Sequence, residues 1–99
     1  MVVIRNVFHL KFGKAREALA LVKESVAIHQ RAGAQFSPRI MTDLTGPFYT
    51  IVLEITLANL AYLETEMPRF MSSPEWQANY QKLAALVESG HREMYRLVE

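Results

Sequence analysis

The sequence lacks cysteine altogether and has little glycine, proline or tryptophan. Its 99 residues include no cysteine, four glycines, four prolines and one tryptophan. The absence of cysteine excludes a disulfide framework, a cysteine–zinc site and a thiol nucleophile. A turn or a cap explains each glycine, and no glycine-rich phosphate loop is present, which argues against nucleotide binding.

The chain also lacks a charge excess and a long apolar run. Eleven lysines and arginines stand against ten acidic residues, giving a net charge of +1. A dedicated nucleic-acid-binding domain normally carries a strong basic excess, so this class is disfavoured. No segment approaches the roughly 20 apolar residues of a membrane span, and no signal-peptide pattern is visible. We therefore expect a cytoplasmic protein with no nucleic-acid or membrane partner.

The remaining composition is that of a globular protein. Hydrophobic residues make up 51% of the chain and charged residues 21%. We expect residues 1–99 to form a single domain with a small core, because short chains bury a smaller fraction of their surface. Residues 1–39 carry seven basic and two acidic groups, whereas residues 40–99 carry four basic and eight acidic ones. Such halves attract within one chain or between two copies, or they reflect only local helix pairing.

The hydrophobic pattern switches between a period of two and the helical period along the chain. Alternating apolar residues predict strands, and apolar residues three and four apart predict helices. The predicted elements are strands over 2–12, 35–44, 48–57 and 91–98, a helix over 14–31, and a helix from 60 that kinks at Pro68, restarts at Ser73 and ends at Gly90. Pro38 predicts that the second strand is an edge strand or contains a bulge, since proline cannot donate to a ladder.

The element order β-α-β-β-α-β predicts an α+β protein of the ferredoxin-like kind. Such a fold has one four-stranded antiparallel sheet with both helices on one face. The other face would be apolar with charged residues interspersed, and a patch of that kind marks an interface or a ligand cavity. Its predicted members are Val3, Arg5, Val7, His9, Arg39, Val52, Glu54 and either Met41 or Met94. We predict a homodimer formed by sheet-to-sheet packing, with the polar members lining a cavity between the sheets.

Three segments carry a resemblance to a known group of proteins. FMSSPEWQANYQKL and SGHREMYRLVE resemble the antibiotic-biosynthesis-monooxygenase-like branch of the dimeric α+β barrel superfamily. Its members often begin a helix with a Ser-Pro-Glu-aromatic-Gln-Ala pattern and close on an Arg-x-x-Tyr-x-Val strand. The hairpin TGPFYTIVLEIT is similar to theirs as well, and it equally resembles NIPSNAP-like members. The resemblance implies a dimeric α+β barrel.

The resemblance also implies roles for particular residues. Some members degrade haem with an Asn on the first strand, a Trp before the Ser-Pro-Glu segment and a His in the following helix. Asn6 lies near the first position, but Phe70 and Tyr80 occupy the other two. Two of the three positions thus depart from that pattern, although Tyr ligates haem iron in other proteins. Other members oxidise aromatic polyketides without metal or flavin, and the matching polar and aromatic groups here would be Arg5, Asn6, His9, Tyr80 and Tyr95.

Each candidate residue also has a structural alternative. His9 would serve as a general base and Arg5 would bind a carboxylate or enolate, or both would line a polar interface or pair with Glu54. Glu54 would be a cavity acid or base with a raised pKa, or it would form a salt bridge to Arg39 or Arg5. Asn6 would face the helices, where its alternative is a hydrogen-bonded buried amide.

The aromatic and histidine candidates complete the set. Trp76 and Tyr80 keep helical spacing with Leu83, which favours a place in the core. His29 and His91 have no partner at metal-ligand spacing, so we predict neither a metal site nor a cofactor. The catalytic candidates are Asn6, His9, Glu54 and Tyr80, and the ligand-binding candidates are Arg5, Arg39, Phe70, Trp76 and Tyr95.

Two classes of function remain open. The first is a cofactor-independent monooxygenase that acts on a small aromatic or hydrophobic substrate in the barrel cavity. The second is a non-catalytic homodimeric module that binds a hydrophobic metabolite or serves assembly. The enzyme predicts that Arg5, His9 or Glu54 converges on an apolar volume. The non-catalytic module predicts that these groups pair with one another.

Overall fold

A computed structural model describes residues 1–98 of the chain. The elements in chain order are β1 (Val2–Leu10), α1 (Ala15–Arg31), β2 (Ser37–Thr42), β3 (Thr50–Leu57), α2 (Leu60–Thr65), α3 (Met67–Met71), α4 (Pro74–Ala84) and β4 (Val87–Arg96). The strands form one antiparallel sheet in the order β2-β3-β1-β4. The predicted ferredoxin-like α+β fold is confirmed, and β2, with Pro38, is an edge strand.

Local capping explains where the second half of the chain becomes helical. The Asn59 side chain accepts a hydrogen bond from the backbone N–H of Tyr62, and that of Ser73 accepts one from Trp76. Pro68 lacks an N–H, and the predicted helix is broken at Glu66 into α2 and α3. None of the helices in residues 1–98 combines the length and the apolarity needed to cross a membrane.

The boundary between α4 and β4 differs from the prediction. The helix was expected to continue to Gly90, but it ends at Ala84 and β4 begins at Val87. The backbone N–H of Lys11 donates to the carbonyl of Leu86 at 2.8 Å, which draws this segment into the sheet beside β1. Gly90 is therefore not a helix cap. It lies opposite Phe8 in the ladder, where a Cβ atom would stand 2.7 Å from the Val7 carbonyl oxygen.

The first three strands are shorter than predicted at their ends. β1 ends at Leu10 rather than at residue 12, β2 covers 37–42 instead of 35–44, and β3 starts at Thr50. The loop between β2 and β3 turns at Gly46 and Tyr49, which have φ angles of 87° and 59°. These left-handed conformations cannot continue a strand, so the hairpin loop is longer than the predicted turn.

Two buried clusters lie between the helices and one face of the sheet. The first joins α1 and α4 to the sheet through Leu10, Ala18, Val22, Ile51 and Leu83. The second comprises Ile4, Ile55 and Leu57, with Tyr62 and Leu63 of α2 packed against it. Because residues of β1 and β3 alternate between faces, the helices cover one face and leave the other open.

The open face carries the residues predicted for it, and of the two alternative methionines it carries Met41. In the ladders Arg5 stands opposite Glu54, and Val7 stands opposite Val52. Met41 also pairs with Val52 and belongs to this face. Met94 pairs with Ile4 and therefore lies on the helix-covered side.

The close approach at Gly90 makes a direct test of the register of β4. We expect Gly90→Ala to lower the free energy of unfolding by about 1–3 kcal/mol, because its methyl group would collide with a backbone oxygen. Urea unfolding measures the change. Ser89→Ala, at the exposed neighbouring position, serves as the control and should have little effect. Equal stability of the two variants would contradict the register.

Candidate functional site

A cavity of about 500 Å³ lies between the helix-covered face of the sheet and the helices. Both buried clusters contribute to the cavity lining. Ile4, Ile55 and Leu63 belong to the second cluster, and Val22 and Leu83 belong to the first. Its lining is mostly apolar, and its volume is within the range of small-molecule sites. The polar and aromatic lining residues are Asn6, Phe8, Ser25, His29, Phe36, Trp76, Tyr80 and Arg92.

Three rings form an aromatic wall of this cavity. The His29 and Trp76 rings stack at 5.5 Å between centroids, and the Trp76 and Tyr80 rings stack at 5.0 Å, each pair nearly parallel. Trp76 and Tyr80 are four residues apart on α4 and thus share a face of the helix. Sequence spacing favoured the core for both, but Trp76 is half-buried and Tyr80 is 44% exposed. The faces of these rings are engaged with one another, and the stack contributes aromatic apolar area to the cavity lining.

A buried amide fixes the helix that carries this wall. The Nδ2 of Asn79 donates to the carbonyl oxygen of Leu21 and to the Oγ of Ser25, both at 2.8 Å. These bonds join α4 to α1, and they explain why a polar side chain is tolerated in the interior. Sequence reasoning missed Asn79, although its place four residues before Leu83 put it on the buried stripe.

A polar pair stands on the sheet side of the cavity. Asn6 of β1 and Arg92 of β4 are opposite each other in the ladder, and the Arg92 Nε donates to the Asn6 Oδ1 at 3.0 Å. Asn6 faces the helices, as its position in the alternation predicted. Arg92 was not among the site residues predicted from the sequence. Only the pairing of β4 with β1 shows that it shares a face of the sheet with Asn6.

His29 is a buried titratable group in the cavity lining. Its ring lies against Phe36, Phe70 and Trp76, and its Nε2 has no hydrogen-bond partner within residues 1–98. Burial lowers the pKa of His29, so the imidazole is neutral at pH 7 and able to accept a proton. Phe70 is buried beside this ring but is not among the residues that line the cavity.

The other predicted site residues lie on the open face and pair there. The Arg5 Nε donates to a Glu54 oxygen at 2.9 Å, and the Arg39 Nη1 lies 3.7 Å from the other oxygen. Glu54 therefore forms the salt bridges predicted as its structural alternative. The hydrogen bond that Arg5 donates to Glu54 raises the pKa of Arg5. The Nδ1 of His9 lies 3.3 Å from the Thr50 hydroxyl oxygen.

Tyr95 is engaged on the same open face. Its hydroxyl donates to Glu93 at 3.1 Å, and the His91 Nε2 lies 3.1 Å from the other oxygen of that carboxylate. The hydrogen bonds from His91 and Tyr95 lower the pKa of Glu93, and the bond to Glu93 raises the pKa of Tyr95. Within the part of the chain that the structure describes, no three His, Asp or Glu side chains gather into a potential metal site.

The nine predicted site residues thus fall into two groups. Asn6, Trp76 and Tyr80 meet at the cavity, with Phe70 buried beside it. The other five, Arg5, His9, Arg39, Glu54 and Tyr95, lie on the opposite side of the sheet. They do not converge with the first group on one volume.

Replacing His29 tests its unpartnered nitrogen. His29→Phe keeps an aromatic ring against Trp76 and removes a buried polar atom, so we expect the free energy of unfolding at pH 7 to rise by about 1 kcal/mol. Urea unfolding measures this change. A lower stability would mean that the His29 imidazole makes a stabilising polar interaction in the folded chain.

The same variant tests the pH dependence of stability. Since burial lowers the pKa of His29 in the folded state, the unfolded chain binds more protons below about pH 6.5, and acidification costs the wild type stability. His29→Phe should lose this part of the slope between about pH 7 and 5. His91→Gln, at an exposed histidine, is the control and should retain it. Equal slopes in wild type and His29→Phe would contradict the assignment.

Comparison with known proteins identifies relatives of the whole chain. The sequence model of the NIPSNAP family matches residues 4–99. A search of functionally curated proteins found no match. Among solved structures, an uncharacterized NIPSNAP domain protein from Burkholderia xenovorans has a TM-score of 0.86 at 17% identity, covering 99% of this chain and 95% of that one.

Two further structures are similar. A NIPSNAP family protein from Agrobacterium tumefaciens str. C58 has a TM-score of 0.86 at 21% identity, covering 99% of this chain and 93% of that one. An antibiotic biosynthesis monooxygenase has a TM-score of 0.78 at 14% identity, and each chain is covered completely, at 100%. At these identities the likeness shows a shared fold.

Proposed function

Because the chain belongs to the NIPSNAP family and shares the fold of an antibiotic biosynthesis monooxygenase, we propose that it is a cofactor-independent monooxygenase. Its substrate is a small aromatic or hydrophobic molecule bound in the cavity between the helices and the sheet. The observation that carries the proposal is the cavity of about 500 Å³ with its stacked wall of His29, Trp76 and Tyr80.

The cavity supplies binding and a proton acceptor. An aromatic or hydrophobic substrate packs against the ring stack and the apolar lining, while the Asn6 amide and the Tyr80 hydroxyl offer hydrogen bonds to its oxygen atoms. His29 is neutral and is the proposed proton acceptor, since a general base works best when its proton-free form is present at neutral pH.

The proposed reaction converts an activated methylene flanked by aromatic rings, as in an anthrone, into a carbonyl group. The methylene carbon loses a proton, and the carbanion reduces O₂, which adds to that carbon as a peroxide. Loss of water from the peroxide leaves the quinone carbonyl. One oxygen atom of O₂ thus enters the product and the other leaves as water.

A second candidate function is a non-catalytic homodimeric module that binds a hydrophobic metabolite or serves assembly. It is favoured by the pairing of Arg5 and Arg39 with Glu54, the outcome predicted for that class. In such a module the cavity binds its ligand and catalyses no reaction.

Oxygen consumption separates the two functions. With anthrone in air-saturated buffer containing a chelator, we expect one O₂ consumed per quinone formed, followed by an oxygen electrode and by quinone absorbance. His29→Phe should lower the rate at least about a hundredfold, the usual contribution of general-base catalysis. Phe48→Ala, which alters an exposed loop ring outside the cavity, should leave it unchanged.

The opposite result favours the non-catalytic module. Quenching of Trp76 emission by anthrone without oxygen consumption would overturn the oxygenase and retain ligand binding. Haemin is a separate probe, and a Soret shift that Tyr80→Phe abolishes would point to haem instead of a metal-free reaction.

We also propose that two single-domain chains associate through their open sheet faces, in the cytoplasm. The row formed by Met41, Val52 and Val7 is apolar and only partly buried in one chain. An apolar row of this kind beside the Arg5–Glu54 pair has the mixture that dimer interfaces contain. The helices already cover the other face, so a second copy is the partner that fits this one.

Light scattering tests the dimer. We expect a mass near twice the 11.3 kDa of one chain. Val7→Arg should give monomers, because it places a charge in the middle of the interface. Leu44→Arg, at a loop position that is 98% exposed, is the matched control and should stay dimeric. A wild-type monomer would overturn the proposal.

A further inference from the structure

We propose that the ligand of the cavity is an anionic aromatic or hydrophobic molecule whose carboxylate, or a group of similar acidity, is bound by Arg92. This inference rests on the proposed function, because it concerns the ligand of the same cavity. It adds the class of that ligand, an apolar body with one negative charge, and names the residue that recognises the charge.

The first observation is that Arg92 is held in place by a neutral partner. Its Nε donates to the Asn6 Oδ1 at 3.0 Å, and both residues line the cavity. A guanidinium has five N–H donors, and this bond uses only the one at Nε. Among residues 1–98 the Nη donors have no hydrogen-bond partner, and their fork geometry matches a carboxylate.

The second observation is that Arg92 keeps its charge unmatched within residues 1–98. Arg5, Arg31, Arg39 and Arg69 each lie within 4.0 Å of a glutamate oxygen in the described residues, whereas Arg16, Arg92 and Arg96 do not, and of these three only Arg92 lines the cavity. Arg92 is solvent-exposed and borders the mostly apolar lining, so an anion would gain a charge-assisted hydrogen bond there, which is stronger than a bond between neutral groups. A ligand that brings one negative charge would supply the missing counterpart.

The third observation is the division of the cavity between two kinds of wall. The sheet side presents Asn6 and Arg92, and the helix side presents the rings of Trp76 and Tyr80. A molecule that satisfies both sides has an apolar part and an acidic group. An uncharged aromatic would use the rings and gain nothing from the guanidinium.

Two probes with the same ring system test the inference. 2-Naphthoate carries a carboxylate, and 2-naphthalenemethanol carries an uncharged hydroxymethyl group at the same position. Calorimetry gives both affinities, and emission from Trp76, the single tryptophan of the chain, reports occupation of the cavity. We expect the wild type to bind naphthoate about tenfold more tightly than the alcohol, the effect of a charge-assisted pair.

Variants of β4 locate the effect. Arg92→Gln should lower naphthoate affinity about tenfold and leave the affinity for the alcohol unchanged. Arg96→Gln is the matched control, since it removes the same charge from the same strand at a residue that does not line this cavity. It should change neither affinity. Arg92→Lys keeps the positive charge but loses the planar guanidinium and the Nε that bonds to Asn6. Its naphthoate affinity should therefore lie between that of the wild type and that of Arg92→Gln.

The outcomes distinguish this inference from the function on which it rests. Equal affinities for the two probes in the wild type, or an unchanged naphthoate affinity in Arg92→Gln, would overturn the anion site and leave the hydrophobic cavity standing. Failure of both probes to bind would overturn ligand binding as well. If Arg92→Gln fails to fold, two measurements on the wild type still test the anion site. One is the comparison of the two probes, and the other is the effect of added salt, which should weaken the binding of naphthoate but not of the alcohol because salt screens only the charged probe.

Discussion

The hydrogen bonds of the buried Asn79 amide tie α4 to α1, and the cavity depends on that placement. The amide donates to the Leu21 carbonyl and the Ser25 hydroxyl, and these bonds offset the cost of keeping a polar group in the interior. Trp76 and Tyr80 stand one turn or less from Asn79 on the same helix. Apolar packing alone would allow α4 to slide along α1. The directional hydrogen bonds of Asn79 fix the position of α4, and with it the position of the aromatic wall opposite the sheet.

The sheet separates two kinds of charged residue. On the open face the arginines meet Glu54, and Tyr95 and His91 meet Glu93, so the charges there are satisfied within the chain. On the helix-covered face Arg92 meets only the uncharged amide of Asn6 among the described residues. The paired charges stabilise the open face. Arg92, in contrast, is still able to bind an anionic ligand.

Much of the fold was predictable because it depends on local alternation. Ile4 and Asn6 share a face with period two, as do Arg5 and His9 on the other, and this needs no knowledge of partners. The end of α4 was not predictable in the same way, since the spacing of Leu83 and Val87 fits a helix although Val87 begins a strand.

The site was predictable only in part. Asn6, Trp76 and Tyr80 were selected from the sequence, but their meeting depends on how α4 approaches the sheet. Arg92 became recognisable only from the register of β4 against β1. His29 stood at the margin of the apolar stripe of α1, and its burial results from rings contributed by other elements. Contacts between residues of different helices and strands depend on the tertiary structure. The spacing of residues within one helix or strand does not predict them.

The two edges of the sheet decide how copies of this chain can meet. β2 includes Pro38, which has no N–H to offer a further strand, and β4 presents charged side chains at Glu88, Arg92, Glu93 and Arg96. Both features oppose addition of strands side by side, the geometry that extends a sheet without limit. Contact between open faces, in contrast, occupies the same surface on each partner and leaves none for a third. If two copies meet by this route, their association is self-limiting, and edges that resist strand addition keep the chain from growing into a fibre.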